Sequence, residues 1–411
     1  MIARFRPILL LLSGNFIGAA VGGAFFLVAS QRFSLEQMGR YAVAISFQWV
    51  AFGLIGTGLA ISTLRIARDR LALDDRAGAA GVVASAAIAA SLLTVVAAII
   101  SYGVLVLFRA ALGIDPLLGV LAVLWAGARA LLDCIRSGLL AQQDFRRTAL
   151  LTGASAATGL VALSIVVSSE ELTVIRLLSA HTAGLFFGAL ASIPLLAPLG
   201  RGRMRRDSTR AVLEYARWPS LSEGTRLLQA NLGAPLLVGL AGTAQAGLFG
   251  LGRYPAYLFD VVIVSLYQFW LARAVGVSDR ASMRGYVGRQ LRWAAGLGLA
   301  MIAGAALTLP VIPILGPDFA RARPLFILSA IDFAIVLMIR PIETAFHGLS
   351  RPRLELMQQG IGVPVLLIAA LALVPRWGAI GMAGSHLVAS LTTLAFGALL
   401  LRNALAAGHR A

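Results

Sequence analysis

Apolar residues in this chain recur in runs of about twenty or more, the length an α-helix needs to cross a bilayer core of ~30 Å. Short breaks that carry arginine separate them. The runs lie near 8–30, 39–64, 79–108, 116–140, 149–168, 173–198, 219–241, 244–272, 291–315, 324–348, 355–374 and 378–401. Hydrocarbon offers no hydrogen-bond partner, so every backbone N–H and C=O inside it must be paired within the chain. A succession of such runs therefore admits one fold class, an all-α polytopic membrane protein. Twelve transmembrane helices in two six-helix lobes are expected. Composition agrees: 59% of residues are hydrophobic and 13% charged, against about 45–50% and 25% in soluble domains. A soluble enzyme, a secreted disulfide module and a disordered chain are excluded.

The net charge of +17 comes from arginine alone, because all 35 basic residues are arginine. In a soluble protein this balance points to nucleic acid. Here the arginines fall between apolar runs, as in cytoplasmic loops, and no nucleic-acid partner is expected. With the N-terminus inside, 22 of the 35 lie on cytoplasmic segments and 7 on outer loops. Both termini are thus expected in the cytoplasm. The first apolar run exceeds the ~7–15 residues of a signal-peptide core, so it reads as an uncleaved span. RGRMRRDSTR (201–210) is the longest basic stretch, and AVLEYARW (211–218) after it is amphipathic, fit to lie along the membrane surface. The expected organisation is an N-terminal six-helix lobe (1–200), a basic cytoplasmic linker with an interfacial helix (201–218), and a C-terminal six-helix lobe (219–411).

The halves echo each other, as transporter repeats do. Ser34–Tyr41, SLEQMGRY, opens the second span and Thr243–Phe249, TAQAGLF, the eighth; FFGAL (186–190) answers AFGAL (395–399), with His181 and His386 ahead of them. Gly14, Gly18 and Gly22 form a small-residue ladder expected to bring helix backbones close. Pro255, Pro341 and Pro364 fall inside spans, where proline kinks a helix. The lone Cys134 excludes an intrachain disulfide and a cysteine-based metal cluster.

LVASQRFSLEQMGRYAVAISFQWVAFGLIGTGLAISTLRIAR (27–68) resembles the first repeat of bacterial polysaccharide flippases of the Wzx type. QANLGAPLLVGLAGTAQAGLFGLGRYPAYLF (229–259) resembles their seventh-to-eighth hairpin, and PVIPILGPDFARARPLFILSA (310–330) their ninth-to-tenth connection. HGLSRPRLELMQQGIGVPVLLIAALALVPRWGAIGMAGSHL (347–387) resembles their last two spans. The resemblance implies the superfamily of oligosaccharide-lipid flippases and multidrug extrusion transporters, with two lobes around a cavity open alternately to each side. It implies a flippase in the bacterial inner membrane that moves polyprenyl-diphosphate-linked repeat units to the periplasmic leaflet for surface polysaccharide synthesis. Its implied partners are this lipid-linked glycan, membrane lipids, the polysaccharide polymerase and the priming glycosyltransferase. Lipid II flippases of the superfamily carry two further helices, for which twelve spans leave no room.

Ionisable side chains within spans carry the chemistry, since each costs about 2.5–3.5 kcal/mol at a helix centre on insertion scales. Arg129, Asp133 and Arg136 share one face of span four; Arg253, Tyr257, Asp260 and Tyr267 line span eight; Asp332, Arg340, Glu343 and His347 line span ten; Glu223 and Arg226 stand in span seven. On the functional reading Arg253, Arg340, Arg129, Arg136 and Arg226 hold a pyrophosphate, to which guanidinium forks are suited. Tyr254, Tyr257 and Tyr267 stack on sugars, and Asn15 lines the cavity or bonds across helices. On the opposing reading, Asp133–Arg136, Glu223–Arg226 and Arg340–Glu343 pair within their helices at i, i+3. Arg253 stands apart, because its nearest acid in the same helix, Asp260, is two turns away. Asp260 and Asp332 have no arginine at i±3 or i±4, which makes them candidates for ion coupling, or else for salt bridges between helices. No nucleotide loop, catalytic constellation, metal cluster or cofactor site is expected, and the chain does not read as an enzyme. The rivals are a multidrug cation antiporter, which would favour an acidic cavity, and a membrane-bound glycan polymerase or transferase.

Overall fold

A computed structural model describes residues 2–107, 115–169, 171–199, 206–274, 280–310, 317–349 and 351–406. All regular structure among them is helical. The elements are α1 (Ile2–Arg32), α2 (Leu35–Phe52), α3 (Gly58–Ala72), α4 (Arg76–Leu107), α5 (Pro116–Ala141), α6 (Phe145–Val167) and α7 (Val174–Ser192). Then come α8 (Arg206–Asn231), α9 (Gly233–Ala241), α10 (Thr243–Ala274), α11 (Arg280–Thr308), α12 (Pro317–Gly348) and α13 (Pro352–Ala406). A π-helical turn, Gly53–Thr57, joins α2 to α3 without a break, so the second span runs as one apolar stretch over Leu35–Ala72.

Ten helices among the described residues are long and apolar enough to cross a membrane. The expected twelve differ from these ten at two places. Residues 353–406 are one of the ten but hold two spans. Gly378 sits in the left-handed region (φ 54°, ψ −129°), a conformation only glycine adopts without strain. The chain reverses there: Gln358 Nε2 donates to Thr393 O at 3.4 Å, and Gly397 lies against the Gln358 side chain. Gln245 of α10 caps the reversal by accepting from Ala379 N at 3.1 Å. The second difference is the expected seventh span, which is divided between α8 and α9 at Leu232.

The expected linker and interfacial helix (201–218) are described only in part. Residues 201–205 lie outside the described residues. From Arg206 the chain is helical, and it continues past Pro219 to Asn231 instead of ending near 218. Val212 and Ala216 are buried in a core with Leu59, Val82 and Ala86. Arg65 donates to Tyr215 OH at 2.7 Å, and Gly58 lies against the Ala216 carbonyl. Tertiary packing thus claims this amphipathic face.

The chain forms two compact units, the first of residues 1–32 and 43–227, the second of residues 33–42 and 228–411. In the first, α5 is the central helix, packed against α3, α4 and α7, and 67% of its most apolar window is buried, against 33% for α4 and 28% for α6. In the second, α12 takes that place among α10, α11 and α13, again with 67% buried. A helix surrounded by protein needs no lipid-facing stripe, and these two carry most of the embedded charge.

The glycine ladder of α1 does not make the close approach expected of it. A Cβ on Gly14 would meet Thr152 Oγ1 at 3.4 Å, an ordinary contact, and one on Gly18 or Gly22 would meet nothing within 4 Å. The close approach in the first unit falls instead between α6 and α7, where Gly184 lies against Gly159 and Gly188 against Ser155. In the second unit the two segments matched from sequence pack on each other reciprocally. Gly39 lies against the carbonyl of Thr243, and Gly247 against that of Leu35. Tyr254 OH donates to Ala42 O at 2.9 Å, extending the contact. Pro255, Pro341 and Pro364 stand inside continuous helices.

Gly39→Leu or Gly247→Leu would push a side chain into a backbone carbonyl, an overpacking cost of about 1–3 kcal/mol. Both variants are expected to lower the melting temperature in detergent, while Gly18→Leu leaves it unchanged.

Candidate functional site

The embedded ion pairs fall in two groups in the first unit, on α5 and on α8, and two in the second. On α5, Arg129 Nε bonds Asp133 Oδ2 at 3.1 Å, and the Arg129 guanidinium lies 5.9 Å from the Phe52 ring centre. The expected Asp133–Arg136 pair is therefore replaced by an i, i+4 pair with Arg129. Arg136 turns to α1 and donates to Asn15 Oδ1 at 2.9 Å. No carboxylate lies within 4.0 Å of Arg136 among the described residues, and it is half-buried. Two candidates from distant sequence positions, Asn15 and Arg136, are thus in direct contact. On α8, Arg226 grips Glu223 with two bonds, 2.8 and 2.5 Å, as its i, i+3 spacing predicts.

In the second unit Arg253 is not the solitary cation that spacing along its own helix suggests. Its NH1 meets Asp332 Oδ2 of α12 at 3.1 Å, and the two side chains are 5% and 3% exposed. Asp332 Oδ1 accepts from Ser390 Oγ at 2.6 Å. The guanidinium lies 5.7 Å from the Phe249 ring centre and 5.5 Å from that of Phe333. Asp332 is accordingly a salt-bridged carboxylate joining α10, α12 and α13. Tyr257 OH donates to Asn231 Oδ1 at 3.1 Å, and its ring stands edge-on to Phe333. Tyr254 stacks on Tyr257 at 5.7 Å.

A second buried cluster lies further along α12. Arg340 NH1 bonds Glu343 Oε2 at 2.7 Å, the expected i, i+3 pair, and Glu343 also accepts from Gln359 Nε2. The Arg340 guanidinium covers Tyr267 at 4.9 Å, and His347 bonds Glu355 at 2.8 Å. Asp260, half-buried on α10, has neither an ion pair nor a hydrogen bond among the described residues. Ser390, Asn231 and Gln359 were not singled out by sequence. A neutral polar residue in an apolar span gives a weak signal, and only the fold shows which charge it serves.

The histidines pack as aromatics. His181 stacks on Phe25 at 4.4 Å beside Trp125, and His386 stacks on Phe249 at 5.8 Å. Cys134 is buried in the core of the first unit. No group of three or more metal-ligating side chains occurs among the described residues.

The sequence matches no family profile and no curated protein. Solved structures do match over nearly the whole length. An inward-facing multidrug resistance MATE family transporter of the MOP superfamily aligns with TM-score 0.76 at 14% identity, covering 97% of this chain and 98% of that one. An outward-facing structure of such a transporter gives 0.70 at 16%, covering 98% and 96%. The lipid II flippase MurJ, in an inward closed conformation, gives 0.72 at 13%, covering 97% and 91%. The fold is that of the MATE and MurJ transporters. The chain is a multi-pass membrane protein, and the structures it resembles are described as transporters and a flippase.

Removing one member of a buried ion pair leaves the other charge uncompensated, at a cost of about 3–5 kcal/mol. Arg253→Met and Asp332→Leu are each expected to reduce thermal stability sharply in detergent. The double variant is expected to recover most of the loss, and a double-mutant cycle measures the coupling.

Proposed function

We propose that this protein is a flippase for polyprenyl-diphosphate-linked oligosaccharides in a bacterial inner membrane. It would carry them from the cytoplasmic to the periplasmic leaflet by alternating access, with both termini in the cytoplasm. The observation that supports this most is the charge of Arg136. Counted over the whole chain, five embedded arginines face five embedded acids, which argues for neutrality. Counted by unit they do not cancel. Arg129 and Arg226 are paired in the first unit, leaving Arg136 on a neutral amide. Arg253 and Arg340 are paired in the second, leaving Asp260.

A guanidinium held by an amide is an anion site in waiting. A diphosphate oxygen replaces the Asn15 oxygen on one N–H while the planar fork offers a second, a charge-assisted bond stronger than the one given up. Asn15 then holds the guanidinium in register between substrates. Arg129, on the same helix and 29% exposed, can add a donor without leaving Asp133. Arg253 and Arg340 are sealed in buried pairs, so their first role is to hold α12 to its neighbours. Arg226 adds a polar group in the first unit, and Tyr257 one in the second. Asp260 is the carboxylate free to take the coupling cation, and Asp332 serves coupling only if Arg253 releases it.

The MurJ likeness favours a lipid-linked cargo. The multidrug transporters of the same fold favour a second reading, a cation antiporter centred on Asp260, with Arg136 structural. Arg136→Gln leaves no carboxylate stranded, so it is expected to abolish lipid-linked glycan transport with the melting temperature retained. Asp260→Asn is expected to remove the dependence of transport on an imposed cation gradient. Mass spectrometry of polyprenyl-linked glycans in a strain lacking the gene tests the cargo: accumulation of the completed repeat unit, with loss of surface polysaccharide, is expected. A normal lipid profile with intact polysaccharide would favour the antiporter, which cation-efflux assays then measure.

A further inference from the structure

Helix α11 divides lengthwise into two faces of different chemistry. Met283, Tyr286, Val287 and Ala294 are buried in the second unit. The opposite half carries Arg284, Gly285, Gly288, Arg289, Arg292 and Trp293, all exposed. At 100° per residue these six positions cover about half the helix circumference. No acidic residue occurs anywhere in α11. Some arginines elsewhere are matched, as in Arg70–Asp75, Arg210–Glu214 and Arg321–Asp318. Arg284, Arg289 and Arg292 have no ion pair among the described residues, and Arg292 Nε is spent on the Gly288 carbonyl at 3.3 Å. Arg289 and Arg292, three residues apart on this face, repel each other, and an anion seated beside them relieves that repulsion.

Two further features define the occupant. A Cβ on Gly285 or Gly288 would meet nothing within 4 Å, so the glycines leave a shallow seat between the arginines. Beyond Trp293, which is 68% exposed, the same face continues as Gly296, Leu299, Ala303 and Leu307, with Leu299 69% and Leu307 80% exposed. One face thus reads basic seat, interfacial tryptophan, then bare hydrocarbon. That is the profile of a phospholipid laid along the helix, headgroup to acyl chain. We infer that this face of α11 is a binding site for an anionic glycerophospholipid. The phosphate sits over Gly288 among Arg284, Arg289 and Arg292, and the acyl chains run along Gly296 and Leu299. A free phosphate would use the basic seat alone and leave the apolar continuation unexplained.

The test uses the full chain reconstituted in phosphatidylcholine bilayers with a small fraction of brominated phosphatidylglycerol or brominated phosphatidylcholine. Tryptophan fluorescence is the readout. Brominated phosphatidylglycerol is expected to quench more than the choline lipid, and the excess should vanish in Trp293→Phe. Each of Arg284→Gln, Arg289→Gln and Arg292→Gln should lower local enrichment roughly fivefold. Gly288→Leu, which fills the seat at unchanged charge, should also remove the excess. Equal quenching by the two lipids, or an excess that survives the triple arginine variant, would overturn the site. An excess that survives Gly288→Leu would show diffuse attraction without a seat, and abolition by millimolar inorganic phosphate would show a free-anion site; either outcome also overturns it.

Discussion

Hydrocarbon around the chain leaves no solvent to complete an unfinished hydrogen bond or screen an unmatched charge, and most of this structure follows from that. Backbone polar groups close within helices, even where α2 passes through a π-helical turn and where Pro219, Pro255 and Pro341 remove donors. Where the chain must reverse inside its last long apolar stretch, it spends a positive-φ glycine and borrows a side-chain acceptor, Gln245, for the exposed Ala379 N–H. The same constraint governs charge. Four of the five embedded arginines lie against a carboxylate, and the fifth has an amide.

That distribution separates two tasks. The most buried pairs, Arg253–Asp332 and Arg340–Glu343, centre on α12 and tie it to α10 and α13 through Ser390 and Gln359. They act as electrostatic rivets, costly to open and therefore specific in where they hold. Arg136 and Asp260 are less buried and carry the charge left over, one sign in each unit.

How much was legible beforehand depended on the range of the interaction. Apolar run length marked almost every span, and the i, i+3 spacing found Glu223–Arg226 and Arg340–Glu343, because both signals are local. Spacing failed for Arg253 and Asp332, which are 79 residues apart and meet only after α10 and α12 pack. It failed for Asp133 too, since two arginines stood within reach and the choice depended on Asn15 drawing one of them away. The amphipathic start of α8 read as a helix lying on the membrane surface because its composition is polar; Val212 and Ala216 are too few to outweigh arginine in a window average, yet they are buried in the core of the first unit. Gly18 and Gly22 misled for the opposite reason. Small residues permit close approach, but a neighbour must also arrive.

The reciprocal contact of Gly39 on Thr243 and Gly247 on Leu35 has the form of a two-fold dimer interface written inside one polypeptide. In a true dimer a single substitution strikes both symmetry-related contacts at once. Joined in one chain, the two contacts are separate genetic addresses, so either can be loosened or tightened while the other is kept. Internal fusion thereby converts a symmetric joint into one whose two sides can be tuned independently, a freedom no homodimer of the half-length chain would have.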